Sequence, residues 1–240
     1  MTNKLFVLFT LLFLASCAEK KSDKNLEISG TINGLKKGTL YIQKIQDTSF
    51  VVLDTIVING DSNFKSEMNI DEPEMMYLFL DRGVSNSLDN SIVFFAEKGK
   101  ITINTSLDFF TADAKITGSK NHELYEEYKK VVTRYIDQDM ELIKERIYAS
   151  KEKDNEAKIQ AIEAKRDDIV KRKYLYTTNF AVNNREYEVA PYVALAEIYD
   201  INLKYLDTIQ KSLSPKVSKS MYGKKLDELI KQRKIAENKE

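Results

Sequence analysis

Lys115-Ile116-Thr117-Gly118-Ser119-Lys120-Asn121-His122-Glu123-Leu124-Tyr125-Glu126-Glu127-Tyr128 decides the fold, because the spacing of apolar residues changes inside it. Up to Gly118 apolar and polar residues alternate, as in a half-buried strand, and from Leu124 onward the apolar residues recur every three or four positions, as on a helix face. Composition turns over at the same point. Seven of the eight Gly lie before residue 119, and eleven of the thirteen Tyr lie after it.

Working back from Gly118, the chain reads as about eight short antiparallel strands. Leu26, Ile28 and Ile32 alternate, Gly34 to Gly38 turns, and Leu40 and Ile42 resume, which predicts a first hairpin. Phe50 to Ile58 is β-branched and apolar, Asn59 to Asn63 is dense in turn residues, and Phe64, Met68 and Ile70 alternate again, which predicts a second. Met76 to Leu80, Ile92 to Ala96, Ile101 with Ile103, and Ala114 to Ile116 complete the set. The loop Asp81 to Asn90 is the longest, and long loops are where binding sites concentrate.

Working forward, Leu124, Tyr128, Val131, Val132, Tyr135, Ile136, Met140, Ile143 and Ile147 form one apolar stripe on a helix of about 30 residues, with Ser119 or Asn121 as its cap. Lys151 to Glu156 is polar, and a second helix follows with Ile159, Ile162, Ile169, Val170 and Tyr174 on its sparse apolar face. A helical hairpin is the economical reading, and one long helix stays open because neither Gly nor Pro marks a turn. Pro191 suits the first turn of a third helix, Ile201 to Leu213 reads as a fourth, Ser214-Pro215 opens a short fifth, and Tyr222 to Lys234 is a sixth. The expected class is α+β: an antiparallel β-sandwich or open barrel over residues 26–118, then an all-helical region over 119–240 with a long hairpin.

The N-terminus carries an address. Lys4 precedes the apolar run Leu5 to Ala15, about 11 residues, where a membrane-spanning helix needs about 20. It reads as a signal peptide over residues 1–16. Leu14-Ala15-Ser16-Cys17 resembles the lipobox of bacterial lipoproteins, so Cys17 is the expected lipidation site (palmitate or a related acyl chain), with residues 17–25 as a polar tether. Acyl chains contribute about 0.8 kcal/mol per buried CH₂, and two or three anchor a protein stably. Ala18, rather than Asp, after the Cys favours the outer membrane over the inner. Which face of that membrane is left open.

Composition closes several doors. Thirty-seven basic and 37 acidic residues balance, which speaks against a polybasic nucleic-acid binder. One Cys and one His leave no CxxC redox pair and no Cys/His metal site. Neither a phosphate loop, nor a dinucleotide glycine fingerprint, nor a Gly-x-Ser-x-Gly elbow, nor a His-Glu-x-x-His motif occurs. No cofactor is expected, and the protein is not expected to be an enzyme.

Lipobox, tether, Ile28-Ser29-Gly30-Thr31-Ile32-Asn33-Gly34-Leu35, Gly38-Thr39-Leu40-Tyr41-Ile42, Asp54-Thr55-Ile56-Val57 and Asn59-Gly60 before Phe64 follow one another in an order that resembles a group of envelope lipoproteins. These carry an N-terminal β-domain of unknown function, usually ahead of a thioredoxin-like thiol-disulfide oxidoreductase domain. Val189 to Leu195 and Ser220 to Leu226 resemble the helical linker that leads into it. The sequence stops at Glu240 without a second Cys, so the redox activity carries over to no residue here. The resemblance implies the architecture, the envelope location, and a function not yet defined.

Each candidate site residue has two readings. His122 could act as a general base beside Ser119, and a surface position at the helix start is favoured. Asp71, Glu72, Glu74, Asp81 and Asp89 could bind a hard cation, and they match no EF-hand spacing, so solvated loop charges are favoured. Tyr174, Tyr176, Tyr187, Tyr192, Tyr199 and Tyr205 could form an aromatic platform or pack helix on helix, and the helical spacing favours packing. Lys171-Arg172-Lys173 and Lys224-Lys225 could face anionic lipid, with a solvated face favoured. Three functions follow: foremost, a non-catalytic interaction or scaffold module binding an envelope protein, with a thioredoxin-like one as a candidate; next, a small-ligand or glycan-binding lipoprotein; last, a carboxylate-based hydrolase.

Overall fold

The computed structural model describes residues 23–83 and 88–238. Cys17 and the signal-peptide reading lie outside the described residues.

The β part has eight strands: β1 (Leu26–Asn33), β2 (Lys37–Gln46), β3 (Ser49–Asn59), β4 (Asn63–Met68), β5 (Glu74–Asp81), β6 (Ser91–Ala96), β7 (Gly99–Ser106) and β8 (Lys115–Thr117). They form two four-stranded sheets, ordered β4-β1-β7-β8 and β3-β2-β5-β6. The sandwich core between them includes Ile28, Ile42, Leu78, Phe94 and Ile101, all closed to solvent. The α part has α1 (Lys120–Ala149), α2 (Glu156–Asn183), α3 (Val189–Glu197), α4 (Leu203–Ser212) and α5 (Met221–Glu237), with a 3₁₀ turn at Val217–Lys219 where a short helix was expected. The molecule is α+β, strands first and helices second.

Both expected hairpins are wrong. β1 and β2 belong to different sheets, and so do β3 and β4. Gly34 and Gly60, at φ 90° and 99°, turn the chain from one sheet to the other instead of folding a strand onto its neighbour. A tight hairpin does exist between β2 and β3, where Gln46 pairs with Ser49 around Asp47 in the left-handed region at φ 56°. Nor is every pair antiparallel. β7 enters at Gly99 beside Leu26 and runs parallel to β1 through Asn33 and Ser106. At Gly30 the two backbones close in so far that a Cβ would sit 1.7 Å from the Ile103 carbonyl oxygen, so only glycine fits.

The helical hairpin is a hairpin and not one long helix. Asp154 reverses the chain at φ 55°, and the Asn155 side-chain amide donates to the carbonyls of Ala149 (3.0 Å) and Glu152 (2.9 Å). Side-chain hydrogen bonds thus make the turn that neither Gly nor Pro announces. Arg166 pairs with Asp139 at 2.7 Å, and Arg146 pairs with Glu163, tying α2 to α1.

Strand periodicity explains how the two parts meet. On β5 and β6, Met76 and Phe94 face the sandwich core, while their neighbours Met75 and Phe95 point the other way. Those two side chains enter a second core with Tyr128, Val193, Leu206 and Leu226 from the helices. The apolar run of β6 is therefore buried on both faces.

Candidate functional site

Two carboxylates from the β part, Glu97 and Glu72, hold the starts of two helices, α1 and α5. The Glu97 carboxylate, just after β6, accepts from the backbone N–H of Lys120 (2.6 Å) and of Asn121 (3.3 Å), and from the Asn121 side-chain amide (2.7 Å). Asn121 in turn accepts from the Val189 N–H at 2.9 Å, at the first residue of α3. Glu72, in the loop before β5, accepts from the Met221 N–H at 2.8 Å, the first residue of α5. The Tyr222 hydroxyl accepts from the Met75 N–H of β5 at 2.9 Å. The first N–H groups of a helix have no partner within the helix and carry partial positive charge, so a carboxylate from outside is a fitting acceptor. Glu97 and Glu72 are thus helix caps supplied across the boundary, the Tyr222 hydroxyl bonds back to β5, and Asn121 links α1 to α3.

His122 is not on the surface. It is 2% exposed, and its Nδ1 accepts from the Phe95 N–H of β6 at 3.4 Å, with Nε2 3.5 Å from Glu126. Burial holds its pKa below the usual histidine value, against the opposing pull of Glu126. Ser119 Oγ accepts the His122 backbone N–H at 3.0 Å, as the cap of α1. His122 thus closes the free edge of β6, and Ser119 closes the helix start.

The acidic residues singled out from the sequence are dispersed. Glu72 caps α5, Glu74 pairs with Lys44 at 3.2 Å, and Asp81 accepts the Gly83 N–H at 2.8 Å. Asp71 lines a cleft of about 350 Å³ at the seam, shared with Glu97, Glu188 and Lys216. The Asp89 carbonyl accepts from Thr111 at 2.8 Å. Among the described residues, no group of three His, Cys, Asp or Glu is placed to hold a metal ion. Solvated loop charge is thus the wrong description of Glu72 and Glu74, which are structural.

The tyrosines form no single platform. Tyr192 stands in a seam cluster with Phe95, Tyr125 and Tyr222 at 5.5, 5.7 and 5.1 Å between ring centroids, and burial raises the phenol pKa of Tyr192 and Tyr222. Tyr176 stacks on Tyr128 at 5.9 Å. Tyr174, pushed up to about 12 by burial and by its bond to Asp200 (2.8 Å), lies on another face, beside half-buried Tyr205. Tyr187 packs at the edge of the helical core, and Tyr199 is 58% exposed. Helix packing is the dominant role. Of the basic runs, Arg172 pairs with Asp168 and Lys173 with Glu197 (3.7 Å), while Lys224 and Lys225 lie exposed on α5.

Two further features lie away from the seam residues, and the second falls at the Asp81 to Asn90 loop where a binding site was expected. The first is the outer half of the helical hairpin. Beyond Val132 on α1 and before Tyr174 on α2, none of the described residues joins the helical core, which leaves an arm about 25 Å long at 1.5 Å per residue. Ala149 and Ile162 are buried within it, but Ile136, Met140, Ile147 and Tyr148 are 44–68% exposed. The second is a cleft of about 580 Å³ at one end of the sandwich, lined by Arg82, Asp89, Asn90, Asp108, Phe109 and Thr111 among others.

Residues 26–125 match the family model described as a domain of unknown function (DUF4369). The matched stretch runs past Gly118 as far as Tyr125 of α1, so it takes in Glu97 together with Lys120, Asn121 and His122, the residues joined across the seam. No curated protein and no solved structure matches the chain. The similarity to this DUF4369 domain supports an N-terminal domain whose function has no assignment.

Proposed function

We propose that the protein is a non-catalytic interaction module of the cell envelope, anchored through acylated Cys17, with the α1–α2 arm as its contact for an envelope protein. The observation that carries this reading is the arm itself. Two helices alone bury only a narrow seam, and here Ile136, Met140 and Ile147 continue the α1 stripe onto solvent. Ion pairs of Arg166 with Asp139 and of Arg146 with Glu163 bridge the two helices along the arm that presents the stripe. A third helix or an apolar patch of a partner would cover it. The lipobox resemblance supports the anchor, and outer-membrane placement follows from Ala18. A thioredoxin-like protein is a candidate partner by the same resemblance.

The test is photo-crosslinking in cells from residue 140 or 147, followed by purification from solubilised membranes. One reproducible envelope protein, captured from residue 140 and lost when Ile136→Lys and Ile147→Lys are added, is the expected result. No adduct from either position sinks the arm as the contact. Cys17→Ala should release the protein from membranes and abolish fatty-acid labelling.

One observation favours a second reading, a small-ligand or glycan-binding lipoprotein: the cleft beside the long loop after β5, where Phe109 is 65% exposed next to Arg82 and Asp89. Thermal stabilisation by a glycan, abolished by Phe109→Ala, would move the assignment there.

A further inference from the structure

The two sheets have four outer edges, and three of them are guarded. The β6 edge lies under α1, with the Phe95 N–H bonded to His122. β8 is three residues long. β4 carries Lys65, which bridges Glu27 at 3.0 Å and Glu67 at 2.8 Å, a row of charge that any added strand would have to desolvate. Short length, charge and cover are the usual devices against unwanted strand pairing.

β3 has none of them along half its length. It is the outermost strand of its sheet, 11 residues long, and from Ser49 to Leu53 it bears no charged side chain. Phe50 is 55% exposed, Val52 48%, and Val51 and Leu53 37% each. A strand of this kind leaves a row of backbone N–H and C=O groups facing water between apolar side chains.

We propose that β3 is a self-association edge: β3 of a second copy pairs antiparallel with it about a twofold axis at Val51, joining two four-stranded sheets into one of eight. The register itself argues for a second copy. It sets Val51 opposite Val51, Phe50 opposite Val52, and Ser49 opposite Leu53. The nearest carboxylates, Asp47 and Asp54, fall opposite Thr55 and Thr48, so no like charges meet anywhere along the pair. Phe50 and Val52 share one side of the strand, where Phe50 stands edge-on against Tyr77 at 5.1 Å and Tyr41 lies against Phe79 at 6.3 Å. Pairing would join the two aromatic faces into one band. Asp54, held by the Ser66 hydroxyl next to the break in register after Val52, ends the window. Twofold isologous contacts are the commonest form of self-association. The edge is separate from the helical arm, so this inference stands or falls without the arm.

The test is the mass of the detergent-solubilised full chain by light scattering across a dilution series, with Val51→Lys and, as control, Val57→Lys, which is 72% exposed but lies beyond the window. The expected result is dimer for wild type and Val57→Lys, and at least a tenfold weaker dimer for Val51→Lys, with equal thermal midpoints at dilutions where both are monomeric. A wild-type monomer at every concentration, or equal weakening by both lysines, would overturn the proposal. Hydrogen exchange of wild type gives a reading independent of any variant. Amides of Phe50 and Val52, which alternate with those bonded to β2, should lose protection on dilution while those of β2 do not, and equal protection at all concentrations would count against pairing. A different protein crosslinked from residue 51 would also overturn it.

Discussion

β6 and β3 are the two ends of one sheet, and both are rich in apolar residues. β6 is buried on both faces and along its edge, whereas β3 is exposed over most of its length. The contrast shows that an apolar strand is not by that fact an interior one. What buries β6 is chain that comes later: α1 lies across its edge, and the helical core takes Phe95. No such segment returns over β3 among the described residues.

This contrast can be tested by substitution. Phe95→Ala should be the most costly, at about 3–5 kcal/mol, because the ring fills the joint between the two cores and leaves a cavity there. Chemical denaturation gives the number, and a loss under 1 kcal/mol would mean that the helices do not depend on β6. Glu97→Ala should cost about 1–3 kcal/mol, since three donors at the start of α1 lose their acceptor at once. The same measurement applies, with Glu97→Gln recovering part of the loss. Acidification should act next. The single His, His122, is held neutral by burial, with its folded pKa below the unfolded value of 6.5. Its contribution is complete above about pH 6.5 and is lost as pH falls toward the folded value, because the unfolded chain then binds the extra proton. Denaturation midpoints at pH 7.5 and 5.5 should separate for wild type and converge for His122→Asn. Val57→Thr on β3 should be the mildest, within about 0.5 kcal/mol, as for most exposed sites. A large loss there would show that β3 is already covered.

The sequence made the elements legible, because their apolar periods are set locally. The eight strands and the helical stretches follow from spacing, whereas the turn between α1 and α2 rests on Asp154 and Asn155 and leaves no mark in the apolar pattern. Strand pairing did not follow, since Gly34 and Gly60 signal that the chain turns and not which sheet it enters next. The seam was illegible for a similar reason. Glu97 acts on residues 23 and 24 positions away and Glu72 on one 149 away, so no local pattern marks either carboxylate. His122 was misplaced because the start of α1 is enclosed on more than one side, with Asn121 and His122 both 2% exposed, a burial that one helical stripe does not encode.

The bond from Glu72 to Met221 also has a bearing on time. It joins positions 149 apart, so closing it costs more loop entropy than nearly any other contact in the chain, and contacts of such span form late. The strands are made first, and their carboxylate stands ready before α5 exists. In a chain made from its N-terminus the acceptor for the last helix is therefore synthesised before that helix, and a helical segment made alone would have to start α5 without it.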